Sequence, residues 1–183
     1  MRRTLCLLAV LLLTGCAAAA EPEPVVPVRA AEQQHVQLDW RERYPSTGGE
    51  RIRFAVDELT VRADGWSVEI GVTNATRRSF ELGVNRPQLS FGLMLFATGE
   101  LDELERASSE GRLPAVRLAA AIEPPPPDLL APGVTWRATL SAPGSLADGS
   151  WVRVAFGPLR VIGDPPEGMH AVVFWITDRS HQL

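Results

Sequence analysis

Alternation of apolar and polar side chains in residues 66–73 is the feature that most constrains the fold. Every second position there is apolar: Trp66, Val68, Ile70 and Val72. Successive side chains of a β-strand point to opposite faces of a sheet, so this spacing predicts a strand with one buried face. An amphipathic helix would instead place its apolar residues three or four positions apart.

The same period of two recurs along most of the chain after residue 50. The phase changes between Val56 and Leu59, which predicts a β-bulge, and turn pairs such as Asp64-Gly65 separate neighbouring segments. The last segment, residues 171–177, is apolar on both faces, which predicts a central strand. The other alternating segments contain Ile52, Phe54 and Val56; Leu59 and Val61; Phe80 and Leu82; Leu89, Phe91, Leu93 and Leu95; Val116, Leu118, Ala120 and Ile122; Val134, Trp136, Ala138 and Leu140; and Val152, Val154 and Phe156.

Two interruptions break this pattern. Leu101, Leu104 and Ala107 lie three positions apart among acidic residues, which predicts a short surface helix that ends around Gly111. The consecutive prolines at positions 124–127 have no backbone N–H groups, so the sheet must be interrupted there. Many short strands separated by turns, with one helical insertion, favour an all-β fold, an antiparallel β-sandwich.

The first 16 residues have the layout of a secretory signal. Arg2 and Arg3 precede an apolar run over residues 5–13. This run is too short to span a bilayer, which requires roughly 20 apolar residues. The run ends in a pattern that resembles the lipobox of bacterial lipoproteins: Leu13, Thr14, Gly15 and Cys16.

The lipobox resemblance implies a membrane anchor. It implies that residues 1–15 are removed as a lipoprotein signal peptide and that Cys16 carries a diacylglyceryl thioether, with or without a further N-acyl chain. One acyl chain holds a protein weakly on a membrane, whereas two or more hold it stably. No other cofactor is expected. The alternatives are an ordinary cleaved signal or a buried cysteine.

Residues 16–50 are expected to be a flexible tether that carries the lipidated Cys16. The first part of this segment is rich in Ala, Pro and Glu and cannot bury enough apolar area to offset the entropy lost on ordering. We expect the folded domain to occupy residues 51–183. Four apolar residues near the end of the tether would alternatively pack on the edge of the domain: Val36, Leu38, Trp40 and Tyr44.

The charge balance of the chain is acidic. It contains no lysine, and 18 arginines face 22 acidic residues, which gives a net charge of −4 that becomes more negative when Arg2 and Arg3 are removed. This balance disfavours nucleic acid as a partner. Cys6 leaves with the signal and Cys16 carries lipid, so a hydrophobic core must stabilise the domain. The expected location is the cell envelope, on the periplasmic side of the outer membrane or the outer face of the cytoplasmic membrane.

Patterns typical of catalysis are absent from the sequence. There is no Gly-x-Ser-x-Gly motif and no unlipidated Cys for nucleophilic chemistry, so the protein is not expected to be an enzyme. A pair of acids from distant strands would leave no local spacing and stays open. Met169, His170 and His181 offer a thioether and two imidazoles, which suit copper. The alternative is that these residues only bound the last strand.

Trp151, Arg77, Arg78 and Arg86 are the candidate binding residues. Trp151 opens its strand out of phase with the apolar residues that follow, so it is the tryptophan expected to be exposed for contact. Arg77 and Arg78 on one turn, with Arg86 after another, are expected to form a carboxylate-binding rim. The alternative is that the three arginines are solvated loop charges.

Three segments carry a further resemblance: WSVEIGVTN at 66–74, LAPG at 130–133 and GSWVRV at 149–154. Their order is similar to that in immunoglobulin-like sandwich domains of bacterial envelope proteins and in small β-sandwich proteinase inhibitors of bacilli. The resemblance implies an immunoglobulin-like fold and a binding role, and it transfers no functional residue. We therefore expect a protein-interaction or assembly module with an envelope protein as partner. The alternative is a lipoprotein that binds a small molecule or metal ion and delivers it to a membrane partner.

Overall fold

The computed structural model describes residues 29–82 and 91–183. All of the strand pairings in these residues are antiparallel, and they form two sheets. In chain order the elements are β1 (Gln34–Arg43), β2 (Arg51–Val61), β3 (Gly65–Ala75), β4 (Phe80–Leu82), β5 (Gly92–Phe96), α1 (Leu101–Ser109), β6 (Arg117–Leu118), β7 (Ala121–Glu123), β8 (Leu129–Leu130), β9 (Thr135–Pro143), β10 (Trp151–Val161), β11 (Val172–Ile176) and β12 (His181–Gln182).

The first sheet has the strand order β1-β2-β3-β9-β7. Its centre is β3, which pairs with β2 on one side and with β9 on the other. The register of β2 against β3 shifts between Val56 and Glu58, so the predicted bulge is confirmed. The alternating residues of β3 are almost fully buried, as their spacing predicts: Trp66, Val68, Ile70 and Val72.

The second sheet is built around β10. This strand pairs with β5 and β4 on one side and with β12 and β11 on the other, while β6 and β8 extend the sheet beyond β5 and β4. Val152, Val154 and Phe156 of β10 are fully buried, which confirms their predicted inward orientation. Arg153 and Ala155 on the opposite face are also fully buried, because α1 packs over that end of the sheet.

The two sheets pack face to face as a β-sandwich. The ring centroids of Phe54 on β2 and Phe156 on β10 are 4.9 Å apart, and those of Phe91 and Trp136 are 5.4 Å apart. Burying one aromatic side chain contributes roughly 1.5–3 kcal/mol, so these inter-sheet contacts hold the two layers together. The all-β antiparallel sandwich with one short helical insertion is therefore confirmed.

The expectation of a tether as far as residue 50 is wrong for the segment that forms β1. This strand pairs with β2 over most of its length, and Trp40 is only 6% exposed. Before it, the backbone N–H of Ala31 donates to the carbonyl of Leu146 at 2.8 Å. Burial of alternate side chains of β1 against the core offsets the entropy of ordering this segment. The folded domain thus begins before residue 51, as the alternative of edge packing requires.

The prediction that residues 171–177 form a central strand is also wrong. They contain β11, which pairs only with β10 among the described strands and lies at an edge of the second sheet. Val173 is fully buried, but Val172 and Phe174 are 47% and 44% exposed. Apolar residues on both faces therefore do not mark burial on both faces here, since no described element covers the outer side of Val172 and Phe174.

The predicted helix is confirmed as α1. Leu104 and Ala107 are its buried residues, and Asp102 and Glu103 lie in its first turn, where the helix dipole favours negative charge. The residue before the helix, Glu100, makes no side-chain cap. Within the described residues there is no helix with the length and apolar character needed to cross a membrane.

The two ends of the sandwich differ in their relation to the N-terminus. At one end Ala30 pairs with Ala147, in the loop between β9 and β10, so the described chain enters there. Arg77 and Arg78 lie between β3 and β4 at the other end. The 11 residues of β3 separate the two ends by roughly 35 Å at about 3.3 Å per residue. The two arginines therefore lie far from the point where the N-terminal segment joins the domain.

Candidate functional site

Five of the predicted site residues lie outside the described residues. They are the four lipobox residues and one candidate binding residue: Leu13, Thr14, Gly15, Cys16 and Arg86. The lipid anchor therefore stays a prediction, and the carboxylate-binding rim is described only for Arg77 and Arg78.

Trp151 is a packing residue and not the exposed contact residue expected. It is partly buried at the start of β10 and packs against the cluster formed by Met94, Phe96, Leu104 and Ala155. Its ring also lies so close to Gly99 that a side chain at that position would overlap it. Trp151 was predicted to be exposed because it falls out of phase with the inward face of β10, but α1 and the loop before it cover the outward face as well.

Arg77 and Arg78 lie beside an open cleft of about 570 Å³ at the end of the sandwich away from Ala30. The side chain of Arg77 is 93% exposed, and its Nε lies 3.1 Å from Oε1 of Glu50. The cleft also contains Glu167, so its charges are mixed and not uniformly basic. This arrangement provides exposed guanidinium groups for a carboxylate, but Arg77 already has Glu50 as a partner.

The three residues considered for copper do not come together. Met169 is 7% exposed and belongs to the main core, whereas His170 is exposed. His181 pairs with Val152 at the start of β10, and the Ala171 carbonyl accepts from Val161 at the end of the same strand. These positions are roughly 30 Å apart at about 3.3 Å per residue, so His170 and His181 cannot bind one ion. No group of three or more metal-binding side chains occurs in residues 29–82 and 91–183.

An apolar surface is exposed on the outer face of the second sheet, which is the face directed away from the first sheet. Four large apolar residues there are more than two-fifths exposed: Leu129 (48%), Val172 (47%), Phe174 (44%) and Ile162 (43%). Soluble proteins expose single apolar residues routinely, but neighbouring ones on one face are typical of contact surfaces. We call these four residues the exposed patch.

The register of the strands shows how the patch is organised. Leu129 of β8 is paired with Glu81 of β4, Glu81 with Arg160 of β10, and Arg160 with Val172 of β11. Residues paired in register lie side by side on one face of a sheet. These four residues therefore form one row across four strands, with apolar side chains at its two ends and an acid and a base in the middle. We call it the outer row.

A groove continues the exposed patch toward the helix. It has a volume of about 570 Å³ and lies between α1 and β11, where Leu104, Phe174 and Ile176 contribute apolar surface. On the far side of this groove α1 covers the sheet through Leu104 and Ala107. The outer face of the second sheet thus carries exposed apolar side chains on both sides of Glu81 and Arg160, and α1 covers only the half that lies near Trp151.

The outer face of the first sheet has a different character. Asp57, at the bulge of β2, lies 2.5 Å from a guanidinium nitrogen of Arg41 and 2.8 Å from one of Arg137. Glu69 is exposed beside them. Alternating acidic and basic side chains of this kind are typical of a solvated face. Within the described residues, the exposed patch therefore distinguishes the outer face of the second sheet from that of the first.

Arg153 forms a buried polar centre close to the helix. Its guanidinium donates to the carbonyl oxygens of Thr177 and Gly99, both at 2.8 Å, of Glu100 at 3.1 Å, and of Asp178. Burial lowers the pKa of Arg153, while the negative charges of Asp178 and Glu42 act in the opposite direction. The four acceptors are backbone oxygens of two loops, so Arg153 fixes those loops and is a structural residue. Its position in an alternating strand gave no sign of burial.

The exposed patch was missed in the sequence. Its signal was present in residues 171–177, whose apolar residues on both faces were interpreted as burial on both faces. Leu129 and Ile162 had no such signal, because they flank short or irregular segments. Comparison with models of known protein families, with curated proteins and with solved structures gives no match to this chain.

Proposed function

We propose that the protein is a non-enzymatic lipoprotein of the cell envelope whose immunoglobulin-like sandwich is a protein-interaction module. The observation that carries this proposal is the exposed patch. Leu129, Ile162, Val172 and Phe174 lie on one face of the second sheet, and the groove beside α1 extends the apolar surface. When a protein partner covers such a surface, each Å² of apolar area removed from water stabilises the complex by about 25 cal/mol.

The proposed anchor is compatible with access to this face. Cys16 precedes the first described residue, Arg29, by 13 residues, which span at most roughly 45 Å when fully extended. The chain enters the sandwich at the end that contains Ala147. The strands run from that end to the opposite end. A domain attached to the membrane through that end therefore directs the outer face of the second sheet toward a membrane-bound neighbour beside it.

Site-specific photo-cross-linking in cells tests the contact surface. A photo-reactive amino acid is placed at Phe174, in the exposed patch, or at Arg53, an exposed residue of the first sheet, as the matched control. We expect a discrete cross-linked protein from position 174 and none from position 53. Equal labelling at both positions, or none at position 174, would contradict the proposal. The mass of the product identifies the partner.

Membrane fractionation tests the anchor separately. We expect the wild-type chain to sediment with membranes and the Cys16→Ala variant to be released into the soluble fraction. Metabolic labelling with a fatty acid should mark the wild-type chain alone. If the variant is labelled and sediments as the wild type does, Cys16 is not the site of attachment.

A carrier for a carboxylate ligand is the second candidate function. The observation in its favour is the open cleft beside Arg77 and Arg78. A thermal-shift screen of small carboxylates against the wild type and the Arg78→Ala variant tests it. A shift that the variant loses supports a ligand site, and equal behaviour of the two proteins argues against one.

A further inference from the structure

We propose that the occupant of the exposed patch is a second copy of this chain. The two copies pack face to face through the outer faces of their second sheets, about a two-fold axis that runs parallel to the strands between β4 and β10. This inference rests on the proposed function, because it requires the exposed patch to be a contact surface, and it names the partner.

The order of residues in the outer row carries the inference. The row reads Leu129, Glu81, Arg160, Val172 across β8, β4, β10 and β11. Adjacent strands are about 4.8 Å apart, so the row is roughly 14 Å long and its midpoint lies between Glu81 and Arg160. A two-fold axis through that midpoint, in the plane of contact, reverses the row in the second copy.

The reversed row is complementary to the original at all four positions. Glu81 of each copy faces Arg160 of the other, and Leu129 of each copy faces Val172 of the other. A two-fold interface must be self-complementary in this way, since the same surface is used twice. A row with two acids or two bases at its central positions would not meet this condition, because like charges would face each other about the same axis.

Contacts among the described residues leave the two central charges open to such pairing. Glu81 and Arg160 are cross-strand neighbours, yet the ion pairs found within residues 29–82 and 91–183 include neither of them. The side chain of Arg160 is exposed and that of Glu81 is half-buried. Two symmetric Glu–Arg pairs would fix the register of the dimer, and the apolar contacts would supply most of its affinity.

Phe174 and Ile162 place further apolar surface in the same interface. Phe174 follows Val172 by two residues on β11, and Ile162 follows Arg160 by two residues, so each points to the same face as the row. Both extend the contact along the strand direction, Phe174 beyond Val172 and Ile162 beyond Arg160. The exposed patch and the outer row are therefore parts of one surface.

Chemical cross-linking of two differently tagged full-length chains tests the arrangement. One chain carries Leu129→Cys and the other Val172→Cys, and both are expressed together and treated in membranes with a short bis-maleimide. We expect a cross-linked pair that contains both tags. The Val172→Cys chain expressed alone should give no dimer product, because the two copies of position 172 lie at opposite ends of the interface.

A dimer product from Val172→Cys alone would overturn the proposed axis, since it would indicate pairing of the β11 edges. Absence of a product from the mixed chains would overturn the proposal as well. In that case the photo-cross-link at position 174 distinguishes failure of the dimer proposal from failure of the protein-interaction proposal. A product with the mass of another protein keeps the interaction module and rejects the second copy, and no product rejects both.

Charge reversal provides an independent test with its own rescue. Glu81→Arg and Arg160→Glu each place like charges face to face twice in the dimer, and each should weaken dimerisation at least about tenfold in sedimentation of the detergent-solubilised full chain. The double variant restores opposite charges and should recover wild-type dimerisation. Urea unfolding of each variant verifies that it is folded. Single variants that dimerise as well as the wild type, or a double variant without recovery, would reject the Glu–Arg pairing and with it the proposed axis.

Discussion

The carboxylate of Glu42 on the first sheet accepts a hydrogen bond of 2.8 Å from the indole N–H of Trp175 on the second sheet. The same carboxylate accepts the backbone N–H groups of Asp178 and Arg179, each at 3.0 Å. Glu42 lies on β1 and Trp175 on β11, so one side chain connects the edge strands of the two sheets. The ring of Trp175 also stacks on Phe54 at 5.8 Å, which extends this connection into the core.

Replacing Glu42 tests the strength of this connection. In Glu42→Gln one oxygen becomes an NH₂ group, which faces an N–H donor and cannot accept its hydrogen bond. We expect a loss of about 1–3 kcal/mol in the free energy of unfolding, measured by urea denaturation. Glu32→Gln serves as the control, because Glu32 is exposed and its ion pair within the described residues is with the exposed Arg29, at 3.5 Å. Equal stability of the two variants would show that the three hydrogen bonds add nothing.

Replacing Arg153 removes donors from four buried or partly buried carbonyl groups. We expect Arg153→Ala to lower the free energy of unfolding by at least about 3 kcal/mol, because the carbonyls lose their partners and a cavity forms. Arg153→Lys keeps the charge but cannot reach both loops with one ammonium group, so it should fall between the wild type and Arg153→Ala. Urea denaturation measures the stability of the wild type and of both variants. A lysine variant as stable as the wild type would contradict the role of the guanidinium geometry.

Asn74 is predicted to be intolerant of a change to aspartate. Its fully buried amide NH₂ donates to the carbonyl oxygens of Arg78 at 2.6 Å and Leu130 at 2.9 Å, and its Oδ1 accepts from Thr76. In Asn74→Asp both carbonyls would face a carboxylate oxygen, so we expect a loss of about 2–4 kcal/mol in the free energy of unfolding.

The matched control for Asn74→Asp is Gln33→Glu, an amide-to-acid change at an exposed position. Thermal and urea unfolding of both variants measure the difference. If the two changes have the same small effect, the network around Asn74 is not what holds the turn between β3 and β4.

His181 is expected to make stability depend on pH. Its Nε2–H donates to Oε1 of Gln34 at 2.7 Å, and burial lowers the pKa of His181 from its ordinary value of 6.5. The unfolded chain therefore binds the proton more readily than the folded chain. The stability that neutral His181 provides is present above pH 6.5 and is lost as the pH falls through the lower pKa of the folded state.

Urea unfolding at about pH 8 and about pH 5 checks this dependence. The wild type should lose more stability on acidification than His181→Asn does. His170→Asn is the control, since His170 is exposed on the other side of β11. A wild type and a His181→Asn variant with the same pH dependence would show that His181 is not the group responsible.

Much of the fold follows from local pattern. The alternation around Ile70 and the bulge after Val56 are confirmed, and so is the helix around Leu104. The amide of Asn74 bonds to Arg78 and Thr76, which are four and two residues away in the chain. These features depend on neighbours a few residues away in the chain, and sequence periodicity reports such neighbours directly.

The candidate site could not be predicted in the same way. Whether Phe174 is covered or exposed depends on where α1 ends on the outer face, and α1 precedes it by about 65 residues in the chain. Trp151 and Arg153 lie under the same helix, where Trp151 is partly buried and Arg153 fully buried, although the alternation of β10 places them outward. The edge position of β11 likewise depends on pairings between distant segments.

The sequence by itself determined the all-β class and the inward faces of long strands such as β2, β3 and β10, because side-chain alternation is a property of a single strand. Only the tertiary structure decided that β1 belongs to the sandwich, that β11 is an edge and that Leu129, Glu81, Arg160 and Val172 share one row. The physical reason is that strand order and surface coverage are set by contacts between residues far apart in the chain. The local period of a strand carries no information about such contacts.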